Sequence, residues 1–550
     1  MVPGRLLDSI PSLETRSAEQ PIPRTRAQLT AFVGRTLRGP IDTPVIVRSF
    51  ADFHQTFGGL WQPSPLSYAI EQFFEQGGRQ AVVVRVVNAA LPASISLRSG
   101  REVLRLQAGA PGTREFLRAS IDYDRLDPDD RTRFNLVVQR VRAPGSERIE
   151  EQETFRAVST DPADPRFVTR ALQDSKLAKV WGAVPKIRPD PTLMPGTNLP
   201  VGYVSSNPDG DDGRPISDYD LIGSSMRRTG LFALANVADL AFVYLPPLSR
   251  TTEVGVSALL VAANFCREHR AMLIIDPPAQ WDSPATALQG LKDLHFHSDS
   301  AVMFYPRVIA VDRLRGRPEV FGNGGAVAGM LSRLDDSVAA AASPHEPEPL
   351  LRAGAKLPRE VSPSDRWRLA TAGINVLQTV RSVERNRPAL RTLACGASAL
   401  SDWAYLTPRR FSLFVISAIE RGTRWSALAA NSVETRAKVA RQIHDFLTEL
   451  RGAGAFSSVP VDQAFLVICD SRINEERDGP GEMNILLQLA ALHAGEYQSV
   501  MITHRPGGSV VKPVVVNRLE TTLVLSNNKL EEAVTMRVEP EEGFRRILAS

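Results

Sequence analysis

Apolar residues along this chain fall into two rhythms, near-continuous β-branched runs and helical stripes, and their order predicts an α/β layer. Leu29 to Val33 reads as a strand closed by Gly34, and Pro44 to Arg48 as a second. Ser49 is placed to cap a short helix over Phe50 to Phe57, ended by Gly58-Gly59. Ser67 to Gln76 carries Tyr68, Phe73 and Phe74 at helical spacing and stops at Gly77-Gly78. Gln80 to Val87 is a run of the kind a strand covered on both faces requires.

From about 95 to 200 the rhythm changes. Short alternating stretches, Val103 to Leu106, Phe134 to Gln139 and Thr154 to Val158, are separated by Asp/Pro/Gly turns, which predicts a β-rich module inserted into the layer. The α/β pattern resumes at Gly230. Leu240 to Leu245, Ala271 to Ile275 and Ala301 to Tyr305 read as buried strands, and continuous apolar strands around a helix predict parallel pairing. That helix, Glu253 to His269, is expected to bury Val256, Leu259, Leu260, Ala263 and Phe265. A proline-rich connector over 336–365 precedes two further helices. Arg410 to Arg421 aligns Phe411, Phe414, Val415, Ala418 and Ile419, and Val433 to Arg451 aligns Val439, Ile443, Phe446, Leu447 and Leu450. Phe465 to Cys469 is another buried run, and Met483 to Leu492 with Gln498 to Thr503 reads as a strand pair around Gly495.

Both ends look extended. Pro3, Pro11, Pro21 and Pro23 forbid a long helix in residues 1–28, and the tail after about 498 alternates apolar and polar positions. Strands with no evident partner in their own chain either stay free or add to another chain's sheet edge.

Composition narrows the function classes. A chain of 550 residues exceeds a single core, and 43% apolar with 23% charged residues is ordinary for globular domains. The net charge of +4 is small, and the arginines are interleaved with acids rather than gathered, which argues against nucleic-acid binding. Cys266, Cys395 and Cys469 are too sparse for a disulfide framework or a zinc site. No stretch reaches the run of about 18 apolar residues that spans a membrane, and Met1 to Ile10 lacks a secretory pattern.

Candidate chemistry is thin. Gly322 to Gly329 is glycine-rich but fits neither GxGxxG nor the Walker spacing, so a turn into a helix over Ala326 to Leu331 is the better reading. Asp276, at the end of a buried strand, stands where α/β enzymes keep carboxylates, though two following prolines suit a turn. His295 and His297 share a face only if extended, and no third ligand is evident. Ser224-Ser225 lacks an evident base.

Two distant sets of residues carry a resemblance. One is Ala31-Phe-Val-Gly-Arg-Thr-Leu-Arg-Gly-Pro40 with Pro44-Val-Ile-Val and Phe57-Gly-Gly59; the other is Trp403-Ala-Tyr-Leu-Thr-Pro-Arg-Arg-Phe-Ser-Leu-Phe414 with Gly422-Thr-Arg-Trp425. Between and beyond them, in order, stand Phe73-Phe-Glu-Gln-Gly-Gly-Arg79, Arg228 to Val237, Ile275-Asp-Pro277, Tyr305-Pro306, Gly325-Ala-Val-Ala-Gly329, Gly373-Ile-Asn375, Asn431 and Cys469-Asp470. The ordered set resembles the contractile tail sheath proteins of phages and phage-like injection systems.

The resemblance implies an α/β multidomain fold. A sheath core is assembled from N-terminal, middle and C-terminal segments, with an outward β-rich insertion and extended arms. Its parts would be an arm at 1–28, core at 29–95 and 201–335, insertion at 96–200, connector at 336–365, C-terminal core at 366–504 and extension at 505–550. It implies a structural subunit with no catalytic residue, cofactor or metal. Subunits would stack in hexameric rings into a helical homo-oligomer around an inner tube protein, with baseplate and cap proteins at the ends. Assembly would occur in the bacterial cytoplasm, without membrane insertion or nucleic acid. The arms, 1–25 and 498–525, would thread into neighbouring sheets through Val2, Leu6, Leu7, Ile10, Val500, Ile502, Val514 and Val516. Arg409, Arg410 and Arg424 are candidate charged contacts between subunits, with pairing inside the chain as the alternative.

Two departures leave alternatives open. The family's closing Lys-Pro-Ala-Glu-Phe-like turn is here His493-Ala-Gly-Glu-Tyr497, and the chain runs on over 505–550. A baseplate- or cap-associated module with a sheath fold, or an α/β hydrolase or transferase using Asp276 and a histidine, are the competing readings.

Overall fold

A computed structural model describes residues 22, 29–199, 201–337, 348–352, 354–381, 387–394, 404–456, 459–460, 463–490, 497–519, 522–527 and 534–537. Residues 28–335 and 348–396 form one unit, and the described residues of 1–27 and 397–550 another.

The first unit opens with β1 (Leu29–Gly34), β2 (Val45–Val47), α1 (Phe50–Phe57), α2 (Pro65–Glu75) and β3 (Ala81–Arg85). Ser49 Oγ accepts from the Asp52 N–H, and Gly58 ends α1 at φ 90°, a left-handed position that glycine takes without strain. Helix α2 starts earlier than its aromatic stripe suggests. Ser64 is the cap and Pro65 the first helical residue, where a missing N–H costs nothing.

The inserted residues form β4 (Ser94–Ser99), β5 (Glu102–Ala108), β6 (Leu117–Asp122), β7 (Arg133–Val141), β8 (Ile149–Ser159), α3 (Val168–Ala171), β9 (Ala178–Val180) and β10 (Val204–Ser205). They make two small sheets, ordered β4-β5-β9 and β10-β6-β7-β8. Ile95, Leu97, Leu104 and Leu106 pack with Ile121, Phe134, Leu136 and Val138 into a core of their own.

The chain then returns through α4 (Asp218–Ile222), a 3-10 turn at Gly230–Asn236, β11 (Leu240–Tyr244), α5 (Val256–His269), β12 (Met272–Ile275), α6 (Pro284–Leu294) and β13 (Ala301–Tyr305). A hairpin, β14 (Val308–Asp312) and β15 (Arg317–Phe321), leads to α7 (Gly324–Ser337), α8 (Pro363–Ala372) and β16 (Ile374–Val376). The main sheet has the order β16-β13-β12-β11-β1-β3-β2, parallel throughout except where β2 runs against β3. Thus β1 sits mid-sheet, with β3 on one side and β11, which follows the insertion, on the other. Helix α5 corrects the expected stripe. Val256 and Leu260 are 37% and 52% exposed, because the helix starts at Val256 and turns Ala258, Leu259, Ala262, Ala263, Phe265 and Cys266 inward. Much of that inner face is alanine, which an apolarity count passes over.

Glycines set the spacing of the layer above the sheet. A Cβ on Gly325 would lie 2.2 Å from the Ala69 carbonyl oxygen, and one on Gly329 2.2 Å from that of Phe73. Helices α7 and α2 therefore meet backbone to backbone along one face of small residues four apart.

The second unit contains α9 (Leu406–Thr423), β17 (Ala430–Asn431), α10 (Val433–Gly452), β18 (Phe465–Ile468), β19 (Arg477–Pro480), β20 (Met483–Leu489), β21 (Gln498–Arg505), β22 (Gly508–Leu519), β23 (Thr522–Asn527) and β24 (Val534–Arg537). All five positions expected inward on each long helix are buried. The sheet is antiparallel, in the order β18-β20-β21-β22-β23-β24. This gives the tail after residue 498 a place in its own chain, contrary to the expectation from its pattern. Ile22 of the amino-terminal segment is also buried in this core, against Gly422, where a Cβ would come within 2.7 Å of the isoleucine side chain.

Gly325→Val tests the helix seat. Its side chain would meet a main-chain carbonyl that cannot step aside, so a loss of about 3 kcal/mol in stability is expected in denaturant unfolding. A value near zero would show that α7 and α2 separate freely.

Candidate assembly surfaces and the buried carboxylate

Asp276 lies just past the C-terminal end of β12 and is half-buried. Tyr244 Oη donates to Oδ2 at 2.5 Å, and the Gly324 N–H, first in α7, donates to Oδ1 at 2.7 Å. Gly322 lies so close that a Cβ there would fall 2.1 Å from Oδ2. Burial raises the Asp276 pKa above the usual carboxylate value, opposed by the Arg307 charge and these hydrogen bonds. Tyr244 is pushed up by its own burial and by the carboxylate. Arg307 is in turn tied to the Pro277 carbonyl at 2.8 Å and to Glu253. The cavity beside Tyr244 and Gly322 measures about 30 Å³, room for one water and no substrate. Asp276 therefore seats the start of α7 on the sheet, where a negative charge also meets the positive end of the helix dipole.

The other candidates of this unit are separate. His295 and His297 are exposed on either side of buried Phe296, and His295 Nδ1 faces the Asp293 carbonyl at 2.8 Å. Among the described residues no three metal-ligating side chains cluster. Ser224 closes a turn by accepting from the Arg227 N–H at 3.3 Å. Cys266 is enclosed, with burial raising its thiol pKa well above its ordinary value.

Val2, Leu6, Leu7 and Ile10 lie outside the described residues, as do Trp403 and Cys395. Val500 and Ile502 are 4% and 0% exposed, since β21 runs between β20 and β22. Val514 pairs with Asn527 and packs against the small cluster of Ile468, Ile473 and Leu486; Val516 stands opposite Leu525. Arg409 is buried on α9, Arg410 half-buried, and Arg424 is exposed and paired with Glu420 one turn back at 2.5 Å. Cys469 is buried, its thiol raised to about 12 mainly by desolvation.

β18 stands at one end of its sheet. Among the described residues β18 pairs with β20 alone. The Ala490 N–H donates to the Ala464 carbonyl at 2.9 Å, so alternate residues from Ala464 turn their backbone groups inward. Phe465 and Val467 consequently present N–H and C=O outward.

Residues that the pattern did not single out hold this sheet in register. Asn474 Oδ1 accepts from the Asn484 N–H at 2.7 Å, its amide donates to the Asn484 carbonyl at 2.8 Å, and Asn431 donates to the Glu482 carbonyl at 2.7 Å. His504, fully buried, lies 2.8 Å from Thr423 Oγ1 through Nε2 and 2.7 Å from Ser509 Oγ through Nδ1. The Thr423 hydroxyl donates to the Ile419 carbonyl at 2.7 Å, so it accepts from an Nε2–H, leaving Nδ1 to accept from Ser509. Asn431 belongs to the set that carries the resemblance, but Asn474, Asn484 and His504 carry no periodic signal, so only their partners reveal them.

Desolvation lowers the His504 pKa to about 4, with the Arg424 charge adding to this and Glu420 opposing it. The unfolded chain binds the proton more readily, so the stability His504 contributes is fully present above about pH 6.5 and is lost as pH falls toward 4. At most about 3 kcal/mol is at stake. His504→Gln should flatten this part of the stability profile measured by thermal unfolding; an unchanged profile would remove His504 as its cause.

No protein-family model matches the chain, and no curated protein does. Among solved structures, a sheath tail protein from Listeria innocua shares the fold: 89% of this chain aligns with 97% of that one at a TM-score of 0.56 and 11% identity. A sheath tail protein from Desulfitobacterium hafniense aligns over 91% of this chain and 100% of its own at 0.47 and 12% identity. The anti-feeding prophage helical sheath in its contracted state aligns over 90% and 97% at 0.47 and 16% identity. The Listeria likeness identifies the fold over nearly the whole chain; the other two add nothing to it.

Proposed function

We propose that this chain is the structural subunit of a contractile tail sheath. It polymerises helically around an inner tube, in stacked rings that are hexameric, and contracts to drive the tube through a target envelope. The observation that carries the reading is its fold, shared over 89% of the chain with the Listeria sheath tail protein. The outer edge of β18, which pairs with no further strand among the described residues, supports it, because a strand lent by a neighbouring subunit would extend the sheet. Each added main-chain bond contributes about 1 kcal/mol net, repeated at every subunit.

The work in this reading is conformational. Asp276, the one carboxylate placed as an enzyme's would be, has both oxygens committed within the fold. Among the described residues no helix is long and apolar enough to cross a membrane, in keeping with a particle assembled in the cytoplasm and capped by baseplate and terminal proteins. The insertion is the outward decoration of the particle.

Two variants test the strand edge. Val467→Pro removes an outward N–H while leaving the bonds from β18 to β20 intact, and deletion of residues 1–20 removes the arm but keeps Ile22. Both should stay folded by circular dichroism yet fail to form sedimentable tubes. Tubes of wild-type length from both variants would refute strand exchange at this edge.

A further inference from the structure

The turn between β7 and β8 brings arginines together in a way the sheath reading does not use. Arg142 and Arg148 face each other across it, joined by an Arg142 N–H to Arg148 carbonyl bond of 3.2 Å. Both side chains are exposed, and neither makes a hydrogen bond or ion pair with a described residue. Behind them a cavity of about 320 Å³ is lined also by Arg38, Arg140, Glu150 and Glu151. Four arginines and two glutamates line it, and with Glu115 behind Arg140 the formal balance is +1.

The inner pair is fixed. Arg38 donates to Glu150 at 2.9 Å and to the Gln55 carbonyl at 3.0 Å, with 11% of its side chain exposed and its Nε buried without a partner. Arg140 bonds buried Glu115 at 3.0 Å and Glu151 at 2.6 Å. The two glutamates lining the cavity are thus spent on the inner arginines, and the outer pair repels across the turn with no carboxylate between. Ile149 is the only apolar side chain in the lining, so an apolar ligand would gain little.

We propose that this cavity binds a small multivalent oxyanion, a phosphate or a cluster of carboxylates. Planar guanidinium forks match such oxygens two at a time, and the two free outer forks, Arg142 and Arg148, at one space suit an anion of two or more charges. The volume is at the lower end of ligand cavities and admits an anion as small as pyrophosphate or citrate. The inference stands on the cavity alone and is independent of the assembly reading.

The test is calorimetric titration of the full chain with sodium pyrophosphate and, separately, sodium citrate, at a constant ionic strength of about 0.1 M. Saturable binding of either anion is expected, and the tighter of the two tells whether phosphate or carboxylate is the preferred chemistry. Arg142→Ala with Arg148→Ala should weaken binding by about tenfold or more. The double variant removes no protein bond, so its thermal midpoint without anion should match that of the wild type. Arg125→Ala, on an exposed loop where its one ion pair is with Asp124, should change nothing. Failure of both anions to saturate, or equal binding by the double variant, would overturn the site.

Discussion

The α/β body depends on one close approach. Helix α7 can lie against α2 only because Gly325 and Gly329 leave room for the carbonyls of Ala69 and Phe73. Close contact alone leaves the helix start undefined, and Asp276 supplies that position by accepting from Gly324 at the end of the parallel sheet. Sheet, turn and helix are thus fixed by a steric and an electrostatic constraint acting on adjacent residues. A body held this way moves as a piece, because interdigitated cores have no intermediate packings.

The other unit is built for a different purpose. Its antiparallel sheet has the weakness of all open sheets, an edge with unmatched backbone groups, and β18 shows it at Phe465 and Val467. Natural edges are commonly blunted by charge or proline, yet this one is Phe-Leu-Val-Ile. Inside the sheet, Asn474, Asn484 and His504 hold the strand register by side-chain bonds, so an added strand would meet a defined template. In the proposed sheath, a rigid body and a sheet edge that takes a lent strand would let subunits rotate while staying linked.

Much of this was legible in the sequence where periodicity is strong. Helix α10 buries the five residues its stripe marks, and α1 begins and ends at Ser49 and Gly58 as capping chemistry requires. Legibility failed where one rhythm serves two outcomes. Val500 and Ile502 alternate as an arm would, and also as an internal strand does; only β22 on their far side decides between them. Asp276 was visible as a strand-end carboxylate, but its partner Gly324 stands far along the chain, so cap and catalyst read alike. Gly329 falls within the helix expected over Ala326 to Leu331 and Gly325 in the turn before it, but neither glycine announces the α2 carbonyl that it meets. The arginine cavity draws on residues 38, 140, 142 and 148, whose meeting no local pattern encodes.

Negative-stain electron microscopy of the unmodified chain, alone over a concentration series and co-expressed with an inner-tube protein, tests the central claim most directly. Striated hollow tubes whose length grows with concentration, with a bore that admits the inner tube, are predicted, because a head-to-tail interface that does not close yields filaments. Monomers or closed rings of fixed size under every condition, with the tube protein present, would contradict it.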